Sequence, residues 1–388
     1  YIMAGQSNMQ GHASTQTFPY MAKDPVSREL HDKLVTVQGA PRTFDKVIVS
    51  YLNGTRNGDA IKEGPLGPGF GATFTDKIGP EYAFGATMVE HLDEPILIIK
   101  TAWGGKSLHT DFRPPSAGHR TMTEDHVAFL AKREGKAPDE VRAANKSQEG
   151  IYYRKMMAHV KSVLEDPGRL VPSYEAGEGY ELAGFIWFQG WNDLVAGKIY
   201  PKRDSPGGYE AYTESMAHFI RDVRRELDAP EMPFVVGVMG VGGTKASNPE
   251  MKASNALFRE AMAAPAKLPE FAGNVFPVRT GLYWDFVQSS AVQKKWQARA
   301  QVNKMQKKGY FTVQPKDDSP QAMKAARAAE SDAVKAMENK LIDEALTPVE
   351  KEALEGTSNA GYHYLGSAKI LCRIGEAFAL ALIEQNGN

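Results

Sequence analysis

Apolar and polar positions alternate along the chain in two rhythms. Short continuous apolar runs occupy 1–4, 46–52, 95–101, 183–188, 233–239 and 275–278, each closed by glycine, proline or polar turn residues. Runs of this kind fit strands buried on both faces, as in a parallel sheet. Between them the apolar residues keep helical spacing. Phe84, Met88 and Leu92 recur at i, i+4 and i+8 behind Gly79-Pro80, and Tyr153, Met156, Met157, Val160, Val163 and Leu164 stripe 152–165. Tyr212, Met216, Phe219, Ile220, Val223 and Leu227 stripe the next run, a further helix is expected over 255–263, and Ile370, Ile374, Phe378 and Leu382 mark the last. Strand and helix in alternation predict an α/β three-layer sandwich around a doubly wound parallel sheet with right-handed crossovers, one domain over 1–388.

Three stretches interrupt the rhythm. Residues 11–65 are rich in polar and turn residues, with 46–52 as a strand or hairpin arm, and the Gly-Pro-dense stretch 64–71 reads as loop. Residues 109–150 carry few apolar positions and predict an inserted loop with a short helix near 124–133. Residues 291–355 are rich in Lys, Ala, Glu and Gln and predict two or more amphipathic helices in a peripheral insertion, a lid or a solvated decoration. At the other end only four residues precede Gly5, short for a strand. The expectation is a native chain that begins earlier, by a leader or a few strand residues, and a periplasmic or secreted location.

Composition narrows the function classes. Lys and Arg total 46 against 47 Asp and Glu, a net charge of −1, which argues against a nucleic acid or an anionic membrane held by bulk charge. No apolar run approaches the ~18 residues of a membrane span. Cys372, the one cysteine, lies in an apolar helical stretch and reads as a small core residue. The nine histidines show no H-x-x-x-H or His/Cys clustering, so neither a metal nor another cofactor is expected. Oligomeric state is not legible.

The candidate chemistry sits at the strand exits. The first strand stops at Gly5 and presents Ser7 within Gly-Gln-Ser-Asn, a hydroxyl at the carboxyl end of a strand, although the spacing is not G-x-S-x-G. A Ser-Asn helix cap accounts for the same residues. Gly104 and Gly105 follow the 95–101 strand and place backbone N–H groups at the rim, suited to half of an oxyanion hole or to an ordinary turn. The 183–188 strand delivers Gln189-Gly190-Trp191-Asn192-Asp193, and His363 stands in the loop entering the last helix. Lys106, His109 and Arg113 form a basic cluster that can meet an acidic glycan or line a solvated loop. Trp191 is one of five tryptophans, some of which can stack on sugar rings.

In this order the blocks resemble the SGNH (GDSL-like) hydrolases, in particular the GQSN branch with sialate O-acetylesterases and acetylxylan esterases. Residues 5–8 give GQSN. Trp187, Gln189 and Gly190 give the W-x-Q-G string, and Gly190, Asn192 and Asp193 equally give G-x-N-D. The resemblance covers roughly 1–20, 78–110, 183–193, 208–243 and 358–385, about half the chain. It implies a flavodoxin-like sheet and a serine esterase that removes O-acetyl groups from a polysaccharide or sialic acid. Ser7 would attack with His363 as base, and the N–H groups of Ser7 and Gly104 or Gly105 would hold the oxyanion with the amide of Gln189 or Asn192. Lys106, His109, Arg113 and Trp191 are the candidate substrate contacts. The family's D-x-x-H acid is absent, because Ala360 stands three before His363, and Trp191 occupies the position of an alternative Glu. Asp193 can supply the missing carboxylate, a backbone carbonyl can accept from the His Nδ1–H, or the protein is a weakly active or non-catalytic glycan-binding relative.

Overall fold

A computed structural model describes residues 1–55, 57–175 and 177–386. Its main sheet has seven strands: β1 (Ile2–Gly5), β2 (Phe44–Thr55), β3 (Gly58–Leu66), β4 (Ile96–Ala102), β5 (Phe185–Phe188), β6 (Phe234–Val238) and β7 (Val275–Arg279). They lie in the order β3-β2-β4-β1-β5-β6-β7, and every pair is parallel except β2 with β3. Without the β2–β3 hairpin on one edge, this is the 2-1-3-4-5 order of flavodoxin-like sheets. The chain builds to one side of β1 and then to the other, so the crevice lies at the ends of β1 and β5. Gly5 pairs with both Ala102 and Phe188, which brings three strand exits to one level.

Side chains alternate between two apolar layers. Met3, Ile98, Ile186 and Val235 face α2 (Pro80–Met88) and the last helix, while Ile2, Ile99, Phe185, Trp187 and Val236 face helices from the middle of the chain. The middle helices are α3 (Ile151–Glu165), α4 (Glu210–Glu226) and α5 (Ala253–Ala263), and α9 (Ala368–Asn386) closes the chain with Cys372 fully buried in the first layer. Between α5 and α9 come α6 (Phe286–Lys307), α7 (Pro320–Ala345) and α8 (Pro348–Glu355). The helical insertion expected from 291 thus begins with Phe286; Asp285 caps it by accepting from the Gln288 N–H at 2.9 Å.

Two elements differ from the expected pattern. Strand β3 runs through Gly64-Pro65 into the stretch read as loop. It is an edge strand, where a proline with no N–H to donate is tolerated. The 109–150 insertion holds two helices, Glu124–Glu134 and Pro138–Gln148, around a small core of Val127, Leu130 and Val141. The second helix is almost wholly polar, so its sequence carries little periodic signal. No helix among the described residues is long and apolar enough to cross a membrane.

Candidate active site

The position of Ser7 follows from how β1 ends. After Gly5 the chain turns at Gln6, and α1 (Ser7–Gln10) begins with Ser7 at its first position. The Ser7 backbone N–H is therefore one of the donors that a helix start leaves unpaired, and among the described residues no protein acceptor takes it. Three contacts hold this short helix. Gln10 donates through Nε2 to Asn53 Oδ1 at 2.6 Å, and the Gln10 carbonyl accepts from Lys100 Nζ at 3.0 Å. Gly11 follows at φ +87°, and a Cβ there would lie 2.1 Å from the Gly79 Cα.

Lys100 belongs to a fully buried ion pair. Its Nζ reaches Glu81 Oε2 at 2.6 Å and the Phe70 carbonyl at 2.8 Å besides Gln10. Those three acceptors match the three protons of an ammonium, so the pair is charged in place although burial pulls the lysine pKa down and the glutamate pKa up.

A cleft of about 380 Å³ opens over Ser7, lined by Gly104, Gly105, Trp191, Asn192, His12 and His363 among others. Gly105 takes φ +76° with open space on its Cβ side, and the Gly104 N–H has no acceptor in the protein among the described residues. Gln6, which the sequence reading passed over, joins the two halves of the crevice. Its Oε1 accepts from Gln189 Nε2 at 3.2 Å, the Gly190 N–H at 3.1 Å and the Asn192 N–H at 3.3 Å, and its Nε2 donates to Ser7 Oγ at 3.4 Å.

Asn359 fixes the tautomer of His363. Its Oδ1 accepts from the Ala360 N–H at 2.8 Å, which sets the carbonyl end of the amide, and the same oxygen meets His363 Nδ1 at 3.0 Å. An acceptor facing Nδ1 requires the proton there and leaves Nε2 with its lone pair. The ring stacks on His12 with centroids 3.9 Å apart and an interplanar angle of 4°. Burial, followed by the nearby Lys77 cation, lowers the His363 pKa to about 4, and burial lowers that of His12 to about 3. Asn359 was missed because the sequence offered Asp193 or a backbone carbonyl as the orienting group; an amide four before the histidine carries no motif.

The turn that carries His363 is strained. Tyr364, Leu365 and Gly366 have φ of 50°, 62° and 56°. Tyr364 is buried, and its hydroxyl accepts from the Gly240 N–H at 2.7 Å and lies 2.7 Å from Thr280 Oγ1, anchoring the turn to the exit of β6. Ser358 Oγ donates to the Gly366 carbonyl at 2.7 Å and ties the turn to its own base.

The structure brings Ser7, Gly104, Gly105, Trp191, Asn192 and His363 together and leaves the other candidates out. Asp193 does not reach His363. Its carboxylate is fully buried and accepts from the Leu108 and His109 N–H groups at 2.9 and 3.1 Å, Gln189 Nε2 at 2.6 Å and the Tyr200 hydroxyl at 2.9 Å. It locks the loop after β4 to the exit of β5; burial pushes its pKa up against those four donors. Gln189 is likewise spent. Its Nε2 faces Asp193, Gln6 and the Lys106 carbonyl, whereas the Asn192 side chain has no partner among the described residues and lines the cleft.

The basic cluster is structural as well. Lys106 reaches Asp111 at 3.4 Å and lies over the Tyr152 ring. The His109 ring is buried beside Thr110 and Tyr200, and Arg113 donates to the carbonyls of Gly118 and Ala117. Each folds the loop that follows β4, and none lines the cleft. Among the described residues no group of three or more His, Cys, Asp or Glu is placed to hold a metal ion. No hydrogen bond joins Ser7 to His363 among the described residues. The two side chains line one cleft.

Comparison with known proteins places this geometry in context. A family model described as carbohydrate esterase, sialic acid-specific acetylesterase, matches residues 1–271, a span that holds Ser7, Gly104 and Asn192 and ends before His363. No curated protein matches the chain. Several solved structures are similar, three of which follow. One is a carbohydrate acetylesterase from Xanthomonas citri, at 16% identity over 71% of this chain and 48% of that one, with a TM-score of 0.38. A protein from Arabidopsis thaliana shares 17% identity over 72% and 84%, with a TM-score of 0.36. NanS shares 13% over 72% and 76%, with a TM-score of 0.37. The chain spans about half the length of the Xanthomonas protein.

Proposed function

We propose that this chain, which belongs to the carbohydrate esterase family of sialic acid-specific acetylesterases, is a serine esterase that removes O-acetyl groups from a carbohydrate. The observation that carries the reading is the convergence of Ser7, from the first strand exit, and a tautomer-fixed His363, from the entry to the last helix, on one cleft. Ser7 Oγ attacks the acetyl carbonyl carbon while His363 Nε2 takes the hydroxyl proton. The oxyanion is met by the N–H groups of Ser7 and Gly104 and by Asn192 Nδ2, all without acceptors among the described residues. Collapse of the intermediate expels the sugar oxygen, which receives the proton from His363. A water then repeats the attack on the acetyl-serine and acetate leaves. Trp191, tilted against Tyr362 with ring centroids 5.8 Å apart, offers an aromatic wall for the sugar.

The test is acetate release from O-acetylated sialic acid and from an O-acetylated polysaccharide. Wild type releases acetate; Ser7→Ala and His363→Ala, folded as judged by circular dichroism, do not. Asn192→Ala lowers kcat by about 10²–10³, as loss of one oxyanion donor does. Undiminished turnover in both Ser7→Ala and His363→Ala overturns the mechanism. Saturable glycan binding by wild type with no acetate released from either substrate leaves a binding protein on the same scaffold.

A further inference from the structure

A second groove of about 310 Å³ lies beside the cleft, between α6 and the segment that leads to His363. Its volume falls at the lower end of small-ligand sites, about 300–1,000 Å³. Tyr362 lines both cavities, so the groove adjoins the cleft, and Asn359, which orients His363, forms part of its wall. The opposite wall is one face of α6, where Val292, Lys295, Trp296 and Arg299 recur at helical spacing. Trp296 is 54% exposed and among the more exposed large apolar side chains in the molecule. The only ionisable groups on the walls besides Tyr362 are Lys295 and Arg299, and no carboxylate lines the groove. Arg299 shares its charge with Glu338 at 3.0 Å, while Lys295 forms no salt bridge among the described residues. The family model ends at residue 271, before α6 begins, so nothing in that match assigns this surface.

We infer that the groove between α6 and the 357–362 segment binds the sugar units next to the acetylated one in an acidic oligosaccharide, stacking one ring on Trp296 and pairing a carboxylate with Lys295. The inference rests on the esterase reading for the position of the acetylated unit. The occupant follows from three properties of the walls. A half-exposed tryptophan beside a tyrosine gives flat apolar surface of the kind a pyranose face covers. Thr357 lines the groove, and its hydroxyl, which donates to the Leu354 carbonyl, keeps lone pairs that can accept from a sugar hydroxyl. Lys295, with no salt bridge among the described residues, and Arg299, partly neutralised by Glu338, face no acid among the lining residues and favour a ligand that carries negative charge. The overall charge of −1 leaves such a local patch with no general attraction for polyanions, so the selection is confined to the groove.

Binding of unacetylated chains separates this inference from the chemistry at Ser7. Oligosialic acid and neutral xylo-oligosaccharides of matched length are titrated against the whole protein by calorimetry, and p-nitrophenyl acetate turnover by wild type is recorded alongside. Oligosialic acid binds at low ionic strength and the neutral chain binds at least tenfold more weakly. Trp296→Ala and Lys295→Glu each weaken oligosialic acid binding on the order of tenfold, the scale of losing one central aromatic or charged contact. Trp296→Tyr and Lys295→Arg restore it. Equal binding by wild type and Trp296→Ala, equal affinity for acidic and neutral chains, or no binding of either chain overturns the inference, whatever the esterase result. Loss of oligosialic acid binding in both variants, in a wild type that does not hydrolyse p-nitrophenyl acetate, upholds the groove while the esterase reading fails.

Discussion

At the scale of single residues an amide, Asn359, stands where the proposed mechanism needs a group to orient its histidine. Asn359 holds the His363 tautomer but brings no negative charge to stabilise imidazolium, and Lys77 adds a positive one. Both push the same way. In the proposed mechanism the base form is the working form, and with a pKa near 4 it persists from neutral pH downward. Activity of the folded protein is therefore lost only as pH falls through about 4, whereas an unperturbed histidine would lose it through about 6.5. Lys77→Gln removes a cation that disfavours imidazolium, so the acid limb of kcat/KM moves to higher pH. Asn359→Leu frees the ring to take the wrong tautomer and lowers kcat by roughly 10²–10⁴. Asn359→Asp keeps the acceptor, adds the charge, and moves the acid limb up further than Lys77→Gln. Rate profiles between pH 3.5 and 8 check all three, and an acid limb near 6.5 in wild type removes the premise. Ser7 and His363 were legible from their blocks. The orienting residue was not, because a motif search looks for an acid at −3, and the residue that does the work was chosen by the shape of a turn.

At the scale of elements, strand exits and the turn before α9 decide where side chains point. The alternation of apolar runs located β1, β4, β5, β6 and α9, hence every element that bears the site. It could not tell Gln189 from Asn192, since both lie just past the same strand and only three dimensions show which amide is already paired. The basic cluster misled for a related reason. Lys106, His109 and Arg113 satisfy the backbone of an irregular loop, a use of charge that looks like a binding patch in one dimension. The length of α1 was also beyond reach, because a four-residue helix has no periodicity. Its position depends on the Lys100–Glu81 pair beneath it, since Lys100 holds the carbonyl at its last residue. Breaking a buried pair by removing one partner costs about 3–5 kcal/mol. Lys100→Met leaves Glu81 buried without its cation and α1 without its anchor. The expected outcome is a loss of that size in urea denaturation together with a reduced kcat in the fraction that remains folded. A variant with unchanged midpoint would show that the ion pair is dispensable to both.

At the scale of the whole molecule the low histidine pKa values separate how the protein works from how it stays folded. His12, His109, His159 and His363 all have pKa values below the usual histidine value, with burial as the largest cause in each. His12 and His363 stack on each other, His109 and His159 lie elsewhere, and all four share the property that the folded chain resists their protonation. The unfolded chain does not, and it takes up these protons as pH falls through about 6.5. Protons then bind more to the unfolded than to the folded state, so stability falls with pH from about 6.5 down to the depressed folded values. Each such histidine contributes a slope of at most ~1.4 kcal/mol per pH unit, less where solvent reaches the ring. His159 tests this without touching the site: it sits on α3 and meets Ser50 Oγ at 3.2 Å on the β2 side of the sheet. His159→Gln retains a group able to bond that hydroxyl and removes the titration. The stability of the variant should depend less steeply on pH between 4.5 and 6 than that of wild type, with the acid limb of activity unmoved. Acid inactivation then begins as unfolding, at a pH where the cleft of each folded molecule still holds its base. A wild-type stability that is flat across this window would mean that the burial of these rings is relieved by solvent, and that the site loses its low-pH base with it.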